Sequence, residues 1–325
     1  MKTRYAYIIP TIALIIFLSG FTSETNFPAP IKEPAAAIYI NLSSSGIFDE
    51  ENESACEEIA KNVANICKLR NQASNSSVKE NDYKKLTLDF LKESILSGFL
   101  QIHEVYFYYK TTDEYALIAK GEFDIFAIGE KSKAEMIFDE NEKLVKISTS
   151  INSNNENEKI LLQVTNNRLV ICPEKSIKEI TNNLEDNKNL LGDKFKTFEQ
   201  MLTYNPAISA EIDIQELFKN LGIENLPKSV TATDLVRLFI ATKQNKIQIN
   251  VPENKEREEL KIELEKQTSV LNSIFDNKTN YKLREGKNSI FIETNTNEKQ
   301  VQTISQKATA FMLHFFVKNI SSDQP

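Results

Sequence analysis

Residues able to act as general bases, nucleophiles or metal ligands are few in this chain. Its 325 residues include two histidines, His103 and His314, and three cysteines. A histidine that moves protons or binds a metal needs an oriented partner, and neither histidine has one close by in the sequence. Patterns of the CxxC, HxH or HExxH type do not occur. We therefore predict no catalytic residue, no metal site and no bound cofactor.

Motifs for nucleophilic catalysis and for phosphate binding are missing too. The sequence has no GxSxG, Walker or GxGxxG pattern and has only 8 glycines. Adjacent carboxylates such as Glu258 and Glu259 point to different sides of a helix, which is typical of a solvated surface. A carboxylate pair assembled from distant segments leaves no local pattern, so an enzyme of unrecognised type stays open as an alternative.

The cysteines are best explained as buried free thiols. Cys56 and Cys67 fall on one predicted helix, where eleven residues correspond to about 16 Å. A disulfide joins Cα atoms that are only about 4.4–6.8 Å apart, so these two residues cannot pair with each other. Cys172 ends a predicted strand, and its pairing stays open.

Charge and composition exclude two classes of partner. Acidic and basic side chains are interspersed along the chain, and the formal net charge is −7. Nucleic-acid binding needs a clustered basic surface, and anionic lipid attracts polybasic segments; the sequence has neither. The composition, with 41% hydrophobic and 26% charged residues, is that of an ordinary globular protein.

Residues 1–23 have the pattern of a bacterial export signal. Lys2 and Arg4 precede an apolar stretch, which is followed by small polar residues. The stretch is about fourteen residues long, whereas a membrane-spanning helix needs about 20, so we expect a cleaved signal peptide. An uncleaved anchor, contacting the membrane only through residues 5–21, is the alternative. Phe21 stands where a lipoprotein signal has its lipid-bearing cysteine, which excludes lipidation. We expect an exported protein of the periplasm or cell envelope.

From residue 24 onward the sequence predicts a tether and two α+β units. The expected segments are a Pro-rich tether over 24–36, a first unit over 37–203, a second unit over 204–320 and a disordered tail over 321–325. The units begin with similar strands, AIYINL and AISAEID, which suggests two degenerate copies of one unit. The predicted fold class is α+β, a long antiparallel meander with helices packed on one face.

The meander is predicted over 104–172, where apolar residues recur at every second position. Turns such as DENEK are too short for parallel crossovers, so the strands must be antiparallel. Pro173 begins a predicted helix that extends to Leu191.

The second unit contains clearer start and stop signals. Asp213 and Glu216 form a capping box ahead of a short helix. A longer helix is predicted from Pro252 to about residue 276, followed by a hairpin around Gly286. A last helix is predicted over 297–318.

Two apolar concentrations are candidate binding surfaces. Tyr106 and Tyr108 point to one side of a strand whose other side is also aromatic. Core packing is the expected role of these tyrosines, and a wall for an apolar ligand is the alternative. Phe311 and Phe315 lie on the last helix, which we expect to dock on the fold; contact with a partner or membrane surface is the alternative.

Two segments carry a resemblance to bacterial exported proteins of unknown function. They are RLVICPEKSIKEITNNLEDNKNLLGDKFKTFEQML, at 168–202, and INVPENKEREELKIELEKQ, at 249–267. The resemblance implies an exported, often membrane-tethered α+β protein and carries no site residue. A long antiparallel sheet behind a signal also resembles periplasmic lipoprotein carriers, in which a half-barrel holds acyl chains.

These features together predict a non-enzymatic envelope protein that works by binding another protein. A periplasmic carrier or sensor of an apolar, lipid-like ligand is the first alternative.

The export signal leads to a direct prediction. We expect the mature chain to begin between Thr22 and Thr25, because the apolar core is too short for a spanning anchor. N-terminal sequencing and intact mass of protein isolated from its own cells measure this. A chain that retains Met1 contradicts cleavage and supports the anchored alternative.

Overall fold

The computed structural model describes the greater part of the chain after residue 28. The described residues are 29–45, 52–74, 84–85, 87–89, 91, 100–111, 113–123, 135–139, 144–150, 159–165, 167–186, 188–204, 206–220, 231–242, 244–266, 281–295 and 297–320. Of residues 66–74, 135–139, 144–150, 159–165 and 311–320, and of a few single positions, only the backbone is described. The predicted signal and the predicted tail therefore lie outside the described residues.

Twelve strands form one sheet in which every neighbouring pair is antiparallel. The strands are β1 (Ala36–Asn41), β2 (Leu100–Thr111), β3 (Glu114–Phe123), β4 (Glu135–Asp139), β5 (Leu144–Ser150), β6 (Lys159–Thr165), β7 (Arg168–Pro173), β8 (Ile208–Asp213), β9 (Leu235–Ala241), β10 (Gln244–Asn250), β11 (Tyr281–Glu285) and β12 (Ser289–Thr294). Across the sheet the order is β11-β12-β10-β9-β8-β1-β2-β3-β7-β6-β5-β4.

Six α-helices accompany the sheet in the described residues. They are α1 (Asn52–Ser74), α2 (Ile177–Glu185), α3 (Lys196–Leu202), α4 (Ile214–Asn220), α5 (Asn254–Lys266) and α6 (Glu298–Ile320). Among the described helices, none combines the length and the apolar character needed to cross a membrane.

The predicted α+β class and the antiparallel sheet are confirmed. Strands β4 to β7 form a meander in chain order, whereas β3 pairs with β7 and not with β4. Turn signals encode only pairings between strands that follow each other, so this long-range pairing left no local trace. The helix predicted after Pro173 begins at Ile177 and ends at Glu185; Leu191 lies beyond it, fully buried.

The sheet repeats one topology on either side of its centre. In the first half, β1 is followed by the hairpin β2–β3 and later by the hairpin β6–β7, with β7 beside β3. In the second half, β8 is followed by the hairpin β9–β10 and later by β11–β12, with β12 beside β10. The segment between the two hairpins contains β4 and β5 in the first half and α5 in the second. The two degenerate units suggested by the sequence therefore share one topology and one sheet.

Strands β1 and β8 meet at the centre of this repeat. Ile38 lies opposite Ala210, and the register runs outward from there to Ala36 opposite Ile212 and Ile40 opposite Ile208. A pseudo-twofold axis through the first pair relates the two halves and preserves the faces of the sheet.

The two faces differ in chemistry. On one face, here called the back face, the register aligns apolar side chains across five strands: Ile38, Ala210, Leu238, Ile247 and Ile292. They belong to one buried cluster with Leu260 and Leu264 of α5 and Val301 and Ile304 of α6. The other face, the front face, carries Glu211, Arg237, Gln248 and Phe291 in register.

Residues 29–35 are part of the folded body, although their prolines predict a tether. Ala29 and Ile31 are buried, and the Glu33 N–H donates to the Leu190 carbonyl at 3.0 Å. The Ala35 N–H donates to the Tyr109 carbonyl at 2.7 Å, and the Ala35 carbonyl accepts from the Asp213 N–H at 2.8 Å. Proline suits such an extended segment, because it needs no backbone donor.

Asp213 lies where β8 ends and α4 begins, and substitutions of Asp213 test how much its carboxylate stabilises the second unit. Its Oδ1 accepts from the Glu216 N–H at 3.0 Å, and its carboxylate also pairs with Lys194. We expect Asp213→Ala to lower the free energy of unfolding by about 1–2 kcal/mol, because the helix loses its cap. Asp213→Asn keeps a capping oxygen and loses only the pair with half-exposed Lys194, so its cost should be below about 1 kcal/mol. Urea denaturation measures both; equal losses would contradict the capping role.

Candidate binding groove

A groove of about 460 Å³ lies on the front face of the second unit. We call it the sheet groove, and its lining is Thr197, Met201, Tyr204, Arg237, Phe239, Ala241, Thr242, Lys246 and Gln248. Alternation along β9 and β10 brings Arg237, Phe239, Lys246 and Gln248 to its floor. Helix α3 and the turn after it form one wall, and Tyr204 on that turn is 74% exposed.

Beneath the groove lies a carboxylate without access to water. Glu211, on β8, is 0% exposed, and its Oε1 accepts from Arg237 Nε at 2.6 Å. Its Oε2 accepts from the Phe198 N–H at 2.7 Å, which fixes α3 against the front face. A buried charge is tolerated only when it is paired and hydrogen-bonded, and Glu211 meets both conditions.

Burial raises the pKa of the Glu211 carboxyl above its ordinary value. Three neighbours act in the opposite direction on this pKa: the Arg237 guanidinium first, then the Phe198 N–H and the Lys194 ammonium. Desolvation disfavours the charged form and exceeds their combined effect.

Arg237 lines the groove and has a guanidinium edge that Glu211 does not engage. Its side chain is 19% exposed, and the Nε–H is engaged by Glu211. A guanidinium carries five N–H donors in a planar fork, and in the described part of the chain no protein acceptor is found for those on Nη1 and Nη2. The buried carboxylate therefore holds the fork in one orientation and leaves its outer edge for a ligand.

A second cation lies on the same floor. Lys246 Nζ is 4.6 Å from the centroid of the Phe291 ring and 3.9 Å from Glu293 Oε1. The same Glu293 carboxylate also pairs with Arg284. Lys246 is thus a half-exposed ammonium that shares one carboxylate with another cation.

The chain matches no protein-family model, no curated protein and no solved structure. The residues of the groove are therefore the guide to its chemistry.

The equivalent place in the first half of the sheet is filled by apolar side chains. The pseudo-twofold axis relates Tyr39 to Glu211, Tyr106 to Arg237 and Ile118 to Gln248. The rings of Tyr39 and Tyr106 are 4.4 Å apart, and all three residues of the first half are buried. One topology therefore carries a sealed front face in one half and an open, charged one in the other.

The sequence-predicted contact residues do not come together in this groove. Tyr106 is 2% and Tyr108 0% exposed, and Tyr106 donates its hydroxyl hydrogen to Glu104 at 2.8 Å. Phe311 and Phe315 lie on α6, where the structure describes the backbone alone.

The cysteines and the histidine that the structure describes are not arranged as a catalytic or metal site. Cys56 and Cys172 are buried, and burial raises the pKa of the Cys172 thiol to about 12, which makes it a poor nucleophile. His103 lies exposed on β2. Within the described ranges, no group of His, Cys, Asp and Glu side chains is arranged to hold a metal ion.

Sequence reasoning missed the groove residues. Glu211 lies inside AISAEID, whose other charge is the terminal Asp213, and Arg237 lies inside DLVRLFIAT, whose other charge is the initial Asp234. Opposite charges inside two strands that follow each other are a recognisable signal for a cross-strand pair.

The Glu211–Arg237 pair predicts an asymmetric mutational response. Arg237→Met leaves a buried carboxylate with only the Phe198 N–H, so we expect a loss of about 3–5 kcal/mol in the free energy of unfolding. The double variant Glu211→Gln, Arg237→Met removes both charges and should recover most of that loss. Chemical denaturation of the three proteins measures this. Additive losses would show that the two side chains are not coupled.

The raised pKa of Glu211 predicts how this response depends on pH. A carboxyl whose pKa is raised by folding adds stability that is complete below its ordinary value, 4.5, and is lost as the pH rises through the folded-state value. Removing the guanidinium raises the pKa of Glu211 further. Unfolding free energies measured from pH 4 upward, at about one-unit steps, should therefore fall more steeply with pH in Arg237→Met than in the wild type. The double variant should lack this difference.

Proposed function

We propose that this chain is an exported, non-enzymatic binding protein that takes its ligand or partner in the sheet groove. The observation that carries the proposal is the contrast between the two halves of one repeated sheet. The first half fills its front face with Tyr39, Tyr106 and Ile118, and the second half leaves an open groove at the equivalent place. The fold seals this position in the first half and leaves it open in the second.

The groups in the groove suit binding better than catalysis. Arginine stays protonated at any physiological pH, so Arg237 serves as a hydrogen-bond donor and not as a proton shuttle. The buried carboxylate beneath the floor, Glu211, is shielded by the guanidinium above it, and the carboxylate beside the floor, Glu293, is engaged by Lys246 and Arg284. The remaining lining supplies three hydroxyl groups, one amide, one ammonium group and an apolar wall, which is the composition of a recognition site.

The alternative of an apolar-ligand carrier receives no support from the aromatic strand β2. Tyr106 and Tyr108 occupy the front face of the first half themselves, in one buried cluster with Phe195 and Phe198. An acyl chain on that face would have to displace these rings.

Native mass spectrometry of the full-length protein, purified from its own cells, tests the proposal. We expect a bound ligand or partner that is retained by the wild type and lost in Ala241→Trp, because the indole fills the groove without changing its charge. Ile262→Trp, at a 49% exposed position on α5, is the matched control and should retain it. A bound species that survives Ala241→Trp would place recognition elsewhere, and a bare protein in every preparation would contradict the proposal.

A further inference from the structure

We infer that the sheet groove recognises an organic oxyanion, a carboxylate or phosphate ester attached to an apolar body, through the outer edge of the Arg237 guanidinium. The inference rests on the proposed binding function and names the ligand class of that same groove.

The first step is the geometry of Arg237. Glu211 Oε1 accepts from Nε at 2.6 Å, so the guanidinium plane is held from below. The two Nη groups form the edge of the guanidinium that Glu211 does not engage, and Arg237 is one of the residues that line the groove. Two parallel N–H donors match the spacing of two oxygens on a carboxylate or phosphate, which is why arginine is so common in such sites.

The second step is the charge of the floor. The Arg237 guanidinium is balanced by Glu211, whereas Lys246 and Arg284 share the single carboxylate of Glu293. Among the described residues, two cations beside the groove thus share one carboxylate. An anionic ligand adds negative charge at this place, and a neutral or cationic ligand does not.

The third step is the apolar part of the lining. Phe239 on the floor and Met201 and Tyr204 on the α3 side border the polar groups. Tyr204 is 74% exposed, which is unusual for a large ring and leaves its face open to a ligand. A ligand with an aromatic or alkyl body beside its anionic group would cover these side chains.

A purely structural role for the Glu211–Arg237 pair is the competing explanation. Against it stands the first half, where Tyr39 and Tyr106 occupy the equivalent positions. That half has a front-face ion pair of its own, Lys120–Glu104, at different positions. An ion pair is also no better for stability than apolar packing of similar size, so stability alone gives no reason for it.

Titration with three small probes tests the inference: phenyl phosphate, benzoate and benzyl alcohol. These share an aromatic ring and differ in charge. We expect the full-length protein to bind phenyl phosphate or benzoate at least about tenfold more tightly than benzyl alcohol, as measured by chemical-shift changes or calorimetry. The tighter of the two anions identifies the phosphate or the carboxylate class.

The double variant Glu211→Gln, Arg237→Met should lose about tenfold or more in affinity for the anions and keep its affinity for benzyl alcohol. Arg237→Lys keeps the charge without the fork, and it should lose several-fold. Lys255→Met, an 82% exposed lysine on α5, is the control for net charge and should behave as the wild type. Thermal unfolding confirms that each variant is folded before titration.

Equal affinity for charged and neutral probes, or anion binding that survives the double variant, would overturn the inference. A native ligand displaced by Ala241→Trp but indifferent to the double variant would overturn it as well, while leaving the binding function intact. Failure of the binding function itself would appear as a native ligand unaffected by Ala241→Trp.

Discussion

A carboxylate with no access to water lies near the centre of the sheet, and its surroundings are organised by the need to satisfy it. Glu211 takes one hydrogen bond from Arg237 and one from the backbone of Phe198. The first bond fixes a guanidinium on the floor of the groove, and the second fixes α3 as its wall. An unpaired carboxylate at this depth would cost several kcal/mol, so neither neighbour is free to move away. A buried charge thus sets the shape of an exposed surface.

Because the sheet repeats one topology, the front faces of its two halves can be compared position by position. Both halves use the same strand order around β1 and β8, and the halves differ in what their front faces carry. The tilted rings of Tyr39 and Tyr106 contact each other where Glu211 and Arg237 form an ion pair. Each half carries an ion pair on its front face, Lys120–Glu104 in the first and Arg237–Glu211 in the second, and the second pair contributes its guanidinium to the sheet groove.

Much of the fold was predictable because its signals are local. Alternation revealed most of the strands, Asp213 and Glu216 marked the start of α4, and the hairpin around Gly286 has a recognisable turn. The pairing of β3 with β7 and the centre formed by β1 and β8 are long-range and have no local signature. The groove stayed hidden for the same reason, because its charges acquire partners only in the folded register. A single charge inside a strand resembles an ordinary solvent-facing residue until the opposite strand is known.

The central strand pair also determines when the sheet can be completed. Ile38 and Ala210 are roughly 170 residues apart in sequence, so a chain that emerges from its N-terminus forms β1 long before its partner exists. During that interval the edge of β1 that later pairs with β8 is unpaired. Its residues, Ala-Ala-Ile-Tyr-Ile-Asn, are almost all buried in the folded protein. Among the strand pairs of the sheet, this one spans the longest separation in sequence, and it joins the two halves along one seam. A second nascent copy of either half offers the same seam, which makes the exchange of halves between molecules the characteristic misassembly of this architecture.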